Sequence, residues 1–521
     1  MPEQLVSQTI PPPILGWNTK DDIVTMEPSY APTVNNFYSD GSTVDCRLGM
    51  TQWSRTTGQT SYSSLYELAL QNGNRKLLAC GGTVSEATGR PFDVSTFNTA
   101  PTDLSVGGTL LTGATCTAVN FRNKLFIKDV DGTHPCYYWD GGGAVAAAGF
   151  VGPGAADTTL INPQPYKSRL WFCENNSCTA WYGGIDAITG AMTSFDFSSG
   201  FTLGGALWFI GAVSKTGVTS DNYLAAISEK GEVLLYQGDY SGSPTWGLIG
   251  RYLMAPAIGR RSFFYWNQNL LVITVSGLFS VSDVLAQAAN VIPLTDKINN
   301  QFSRLTYLTN TVDQNKITGC YYPYGDMIIL NFPYGFSNIF PMYTCQLVMN
   351  TRTGGWWPWW PNTAGSTNQL FSSPCTYDKK LMIVGPNFHS VLRLLDGDID
   401  EDYTQAIATH AALPRTFTLF PAYNYFGDNE HVKQFVQARP VVQQTYGLNL
   451  TMDADVDYNG VAATSKVTDT TTTADKIYKP IMGLTGIGKC ASININTGSI
   501  STAYKLSLKA ISVSYKSGGT N

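Results

Sequence analysis

Three aspartates, Asp453, Asp455 and Asp457, alternate through the run LNLTMDADVDYNG. Residues two apart share one face of a strand, so this spacing predicts three carboxylates on one surface. Such a surface is either an ordinary solvated sheet face or the lining of a passage for a polyanion. In the second case the carboxylates would repel DNA phosphates and prevent binding. A second acidic run, Asp396-Gly397-Asp398-Ile399-Asp400, opens like a calcium loop. Its sixth position is Glu401 where the loop needs Gly, and its twelfth is Ile407, so a solvated linker is the better reading. The indoles of Trp356, Trp357, Trp359 and Trp360 crowd around Pro358. They suit subunit contact, sugar stacking or packing between repeated sheets, with packing favoured. Gly259-Arg260-Arg261 offers guanidinium groups to a phosphate or carboxylate, or forms a structural ion pair on a strand edge.

Catalytic patterns are nearly absent. His134, His389, His410 and His431 are scattered and form no H-E-x-x-H pair, which argues against zinc. Neither a G-x-S-x-G elbow nor a phosphate-binding G-x-x-x-x-G-K-[ST] loop occurs. The text DYSGSPTW over 239–246 approaches the repeated box of propeller sialidases only at Thr245-Trp246; Ser241 and Ser243 stand where that box has Asp and Gly. No enzymatic activity, no cofactor and no metal are expected.

The elements that would position these residues are short strands. Leu170-Trp171-Phe172 is answered by Thr179-Ala180-Trp181-Tyr182, Leu224–Ile227 by Val233–Tyr236 across Glu229-Lys230-Gly231, and Leu270–Val275 by Leu278–Val281 across Ser276-Gly277. Each pair reads as a β-hairpin, with β-branched or aromatic flanks around turn residues. The same phrase begins near Lys76, Lys124, Arg169, Tyr223, Asn269, Asp326 and Lys380. Hairpins repeating about every 50 residues predict a β-propeller of six or seven blades over 51–400. One helix is expected where Ile298, Phe302 and Leu305 fall at helical spacing, capped by Thr295 or Asp296. A shorter one is expected over 282–289.

The texture changes at both ends. Pro11-Pro12-Pro13 stiffens an extended arm over 1–50, with a turn at Ser39-Asp40-Gly41. After 401 come longer alternating strands, KQFVQARPVVQQ, LNLTMDADVDYNG and STAYKLSLKAISVSYK. They predict an antiparallel β-sandwich platform over 401–521, joined by the N-terminal arm. The fold class expected is therefore all-β, a propeller plus a sandwich.

The composition agrees. At 521 residues the chain exceeds one ordinary core. Charged residues make up only 14% and aromatic residues 12%, with 50 glycines, which suits sheets joined by tight turns. A net charge of -5 argues against a nucleic-acid-binding surface. No apolar stretch long enough to span a membrane occurs, and MPEQLVSQTIPPPILGW has no basic and apolar leader pattern. Cys173 and Cys178 could face each other across a hairpin, but the 10 cysteines read as reduced thiols.

Longer phrases carry a resemblance. KSRLWFCENNSCTAWYGGIDAITGAMTSFDFSSGFTLGGAL, DNYLAAISEKGEVLLYQG, TWGLIGRYLMAPAIGRRSFF and NLLVITVSGLFSVSDVL resemble a family of tail proteins from short-tailed bacteriophages. So do LTDKINNQF, VMNTRTGGWWPW, YNYFGD, QARPVV, DADVDYNG and the opening GWNTKDDIVTMEPSYAPTVNNFY, in order from about residue 15 to 460. The resemblance implies a virion structural protein, the tail nozzle or tail-tubular ring below portal and adaptor. It implies a homo-oligomer, typically a hexamer, assembled in the host bacterial cytoplasm. Its partners would be the adaptor (head-to-tail connector), tail fibre or tip proteins, and genomic DNA passing without sequence-specific binding. On this reading Asp453, Asp455 and Asp457 line the channel, and Trp356, Trp357, Trp359 and Trp360 serve subunit contact or packing. The alternative is a receptor- or glycan-binding propeller of a tail fibre.

Overall fold

The computed structural model describes residues 5–55, 61–82, 89–105, 111, 115–152, 157–215, 223–286, 291–309, 314–332, 345–359, 371–384, 390–401, 412–413, 415–445, 448–459, 465–469, 476–500 and 502–518. Seven small antiparallel sheets follow one another along the chain and close into a ring. Blade 1 is Ser61–Ala69, Arg75–Gly82, Gly89–Asp93 and Thr102–Asp103; blade 2 is Cys116–Phe121, Lys124–Asp129, Tyr137–Trp139 and Ala146–Ala147. Blade 3 is Leu160–Tyr166, Arg169–Glu174, Thr179–Tyr182 and Thr193–Asp196; blade 4 is Leu207–Val213, Tyr223–Ser228, Glu232–Gln237 and Gly247–Leu253. Blade 5 has three strands, Phe263–Trp266, Asn269–Thr274 and Gly277–Ser280, and runs into the helix Val281–Ala286. Blade 6 comprises Thr318–Tyr322, Met327–Phe332, Cys345–Asn350 and Trp356–Trp359; blade 7 comprises Ser372–Tyr377, Lys380–Val384 and Leu392–Leu394. The fold is an all-β propeller, and the blades number seven.

Every hairpin legible in the sequence is the second and third strand of a blade. The first strand of each blade lies innermost. In blades 2, 3 and 7 it turns back through two residues in the left-handed region: Arg122-Asn123, Lys167-Ser168 and Asp378-Lys379. Such turns match the twist of the strands they join. Innermost strands of neighbouring blades touch from blade 1 to blade 4 and from blade 5 to blade 7, and Ser372–Tyr377 returns to Ser61–Ala69. Blades 4 and 5 meet where Phe209 stacks on Phe263 with centroids 4.5 Å apart.

Between blades lie separate apolar clusters. One joins blades 3 and 4 through Trp171, which stacks on Tyr182 at 4.3 Å and on Trp246 at 5.9 Å. Cys173 is buried opposite Ala180 in this region, and Cys178 donates to the Gly205 carbonyl; both are free thiols. The predicted longer helix is present as Asn299–Thr309, after a short 3-10 turn Asp296–Ile298, with Ile298, Phe302 and Leu305 buried. Thr295 does not cap it. Its hydroxyl instead accepts from the Leu278 amide, tying the segment to blade 5.

Residues before blade 1 are divided among four sheets. Gly16–Trp17 and Tyr30–Ala31 extend blade 6, while Met50–Gln52 pairs with Leu392–Leu394 to complete blade 7. Leu5–Ile10, Phe37–Ser39 and Val44–Cys46 join a sheet built on Lys433–Gln444 and Leu506–Ser517. Thr33–Asn35 borders a second sheet, followed in order by Arg415–Phe420, Ala491–Ile500, Leu448–Val456 and Ser465–Asp469. These two antiparallel sheets form a sandwich over Phe417, Leu419, Ala438, Val442, Met452, Ile493, Ile495 and Leu508. That core is continuous with blades 5 to 7: Ile273, Met327, Val348, Trp357 and Leu392 belong to the same cluster. Propeller and sandwich are one packed body.

Candidate functional site

The carboxylates of Leu448–Val456 sit on the sandwich. Met452, Ala454 and Val456 turn into the core, so the strand's alternation sends Asp453 and Asp455 to the opposite face, where both are half-buried. Across the ladder Asp453 faces Asn494 and Asp455 faces Ser492. Burial pushes the Asp453 carboxyl above its usual range, against a hydrogen bond from Asn494; the neighbouring charge of Asp455 adds to the rise. The Tyr423 phenol is pushed up by burial and then by its hydrogen bond to Asp455.

Asp457 departs from the expected face. The strand stops at Val456, and Asp457 and Tyr458 take φ of 50° and 62°. The Asp457 carboxylate swings back to accept from the amides of Lys489 at 2.8 Å and Cys490 at 3.1 Å. It closes a turn, so the face carries two carboxylates and not three. Period-two reading fails at this residue because the left-handed backbone ends the alternation.

The tryptophans form the fourth strand of blade 6, Trp356–Trp359, parallel to Gly16–Trp17. Trp356, Trp357 and Trp359 are 1%, 0% and 1% exposed, which leaves no indole face for a sugar or a second subunit. Tyr38 packs on Trp357 and Trp359 with centroids at 6.4 and 6.0 Å, and Phe37 meets Phe417 at 5.8 Å. Trp356 and Trp359 donate their indole N–H to the carbonyls of Leu294 and Phe37. These three rings are the joint between propeller and sandwich. Trp360 lies outside the described residues.

The run 396–400 is not a solvated linker. Asp400 is fully buried and accepts a forked pair from Arg47, at 2.9 and 2.5 Å. Asp396 accepts from the Thr51 hydroxyl at 2.6 Å and pairs with Arg393. Among the described residues no group of three His, Cys, Asp or Glu side chains is arranged to hold a metal ion. The buried Arg47–Asp400 pair had no signal in the sequence beyond the acidic spelling, because its partners lie 353 residues apart.

The arginines Arg260 and Arg261 form no ion pair among the described residues. Each donates to backbone carbonyls and neutral side chains in the centre of the ring. The sequence offered a strand-edge ion pair or an anion contact; the first of these is absent.

A scan of protein-family models and a search of curated proteins both find no match to this chain. Solved structures similar to it include a β-propeller domain. The Cps50 (Swd1) β-propeller domain of Myceliophteria thermophila is 11% identical with a TM-score of 0.40, covering 67% of this chain and 99% of that one. Chaetomium thermophilum Raptor is 9% identical with a TM-score of 0.38, over 67% of this chain and 29% of that one. The exo-β-1,3-galactanase of Phanerochaete chrysosporium is 12% identical with a TM-score of 0.29, over 77% of this chain and 95% of that one. Scores this low say nothing of substrate or partner.

Proposed function

We propose that this chain is a non-catalytic structural subunit of the tail nozzle of a short-tailed bacteriophage, a wall piece of a ring through which the genome leaves. The observation that carries the reading is the shared core of blades 5 to 7 and the sandwich. Two domains fused through buried indoles resist relative motion, as a wall that retains pressurised DNA must. The ordered phrases from Gly16 to Gly460 support the same reading, since they run through both parts. Asp453 and Asp455 supply the chemistry of a non-stick passage: held on a rigid sheet, they repel phosphates without binding them.

In this reading the chain assembles as a homohexamer in the host cytoplasm and sits in the virion tail. It docks to the adaptor above and to fibre or tip proteins at its side or end. Enclosure of Trp356, Trp357 and Trp359 weighs against the sugar platform on which the fibre alternative rested.

Light scattering and negative-stain imaging of the purified chain, alone and with a phage portal–adaptor complex, test the proposal. Six-fold rings that co-assemble with the adaptor are expected. A stable trimer that binds host glycan, or turnover of a β-galactan by the purified chain, would overturn it.

A further inference from the structure

The innermost strands leave a cavity of about 320 Å³ at the centre of the propeller, and its wall contains no Asp or Glu among the described residues. Among the described residues its charged groups are Arg260 and Arg261. They stand on the segment between blades 4 and 5, fixed by Gly259, where a Cβ would come within 2.7 Å of the Gln314 carbonyl oxygen. Only glycine allows the two linkers to lie that close.

From this segment the two side chains reach in different directions. Arg260 donates to the Val130 carbonyl at 2.7 Å and to Asn175 Oδ1 at 2.6 Å, towards blades 2 and 3. Burial works against its charge, and Asp131, Cys173 and Glu229 act on it through space. Arg261 donates to the carbonyls of Ser63 and Asn315, both at 3.2 Å, and to Ser373 Oγ at 3.0 Å, towards blades 1 and 7. It is 6% exposed, the Tyr66 phenol lies against it, and its Nε–H has no acceptor among the described residues. No carboxylate of the described residues pairs with it.

A guanidinium does not deprotonate, so a buried one keeps its charge and calls for a counter-ion. Neutral carbonyls meet some of its donors but cancel none of its charge. Thr318 adds a hydroxyl whose oxygen accepts from Ser373 N–H and whose own proton remains to donate. Phe209, Phe263 and Phe264 make the adjoining wall aromatic.

We propose that the centre of the propeller binds a small oxyanion, a carboxylate or phosphate group, through the Nε edge of Arg261 together with Arg260 and Thr318. The aromatic wall receives the apolar body of the molecule when it carries one. This site is independent of the tail-ring reading, and either stands if the other fails.

The test titrates the intact chain with sodium benzoate and, separately, inorganic phosphate, with chloride holding ionic strength constant. Calorimetry and the melting temperature are followed. Saturable binding of at least one probe, one per chain, with a rise of a few degrees in melting temperature, is expected. Stronger binding of benzoate identifies a carboxylate site, and stronger binding of phosphate identifies a phosphate site. Arg261→Gln is expected to weaken binding at least tenfold. If that variant does not fold, Arg260→Gln serves in its place. Absence of saturable binding of both probes by the parent chain would overturn the proposal. So would undiminished binding by the folded variant, which would leave Arg261 as a structural pin alone.

Discussion

Arg47 and Asp400 meet in a forked, fully enclosed ion pair, with N–O distances of 2.9 and 2.5 Å across 353 residues of sequence. The pair ties the strand entering the propeller to the segment leaving it. Breaking one side of a buried pair leaves an uncompensated charge and costs roughly 3–5 kcal/mol. Asp400→Asn or Arg47→Met alone is therefore expected to lower the denaturant midpoint severely. The double variant Arg47→Met with Asp400→Leu should recover much of the loss. A loss in the double variant equal to the sum of the two single losses would refute the coupling.

Because Trp356, Trp357 and Trp359 are the joint of a shared core, truncating one should weaken both parts together. Trp357→Ala is expected to cost about 3–5 kcal/mol, as large aromatic deletions in cores do. Unfolding followed by tryptophan fluorescence and by circular dichroism should shift as one transition. Two separate transitions, with one unmoved, would show that propeller and sandwich melt independently.

Lys128 and Asp129 are both fully buried in blade 2, with Nζ and Oδ1 2.9 Å apart. Burial pushes the Asp129 carboxyl up, but the Lys128 charge and the Thr133 hydrogen bonds outweigh it and hold the group below its usual range. A depressed carboxyl contributes stability above its unfolded pKa and loses it as pH falls through the folded value. Lys128→Met should thus destabilise by about 3–5 kcal/mol at neutral pH. The deficit should shrink in acid as Asp129 takes up a proton. Denaturant titrations between pH 3 and 7 measure it, and a deficit independent of pH would count against the pairing.

Asp453 has the opposite sign. Its raised carboxyl favours folding in acid, and that contribution is lost as pH rises through the folded value. Asp453→Asn should melt higher than the parent at pH 7, with the gap closing below the ordinary carboxylate range. In assembled particles, Asp453→Lys with Asp455→Lys should slow DNA ejection several-fold. Normal assembly with unchanged ejection would remove these residues from any passage wall.

The repeat was legible in the sequence because the second strands of the blades are buried on both faces and spelled largely in apolar residues, such as Leu224–Ile227 and Leu270–Ile273. The first strands were not. Cys116–Phe121 and Leu160–Tyr166 line the centre, so Thr117, Asn162 and Gln164 interrupt their pattern. Their turns, Arg122-Asn123 and Lys167-Ser168, lack the glycine that usually betrays a left-handed pair. The acidic residues were misread for a related reason. Spacing places Asp453 beside Asp455, yet nothing local says that the backbone turns left-handed at Asp457 or that Arg47 awaits Asp400.

Blade 7 is completed by Met50–Gln52, and the adjoining Val391 amide bonds Ser54 Oγ across 337 residues. On a ribosome, that interval takes about 20 to 70 s to synthesise. During it the edge strand that will close the ring waits unpaired, and blade 1 has no seventh neighbour. The propeller is therefore finished late, from its two ends at once, and a chain stalled before Leu392 presents an open sheet edge to any other nascent chain nearby.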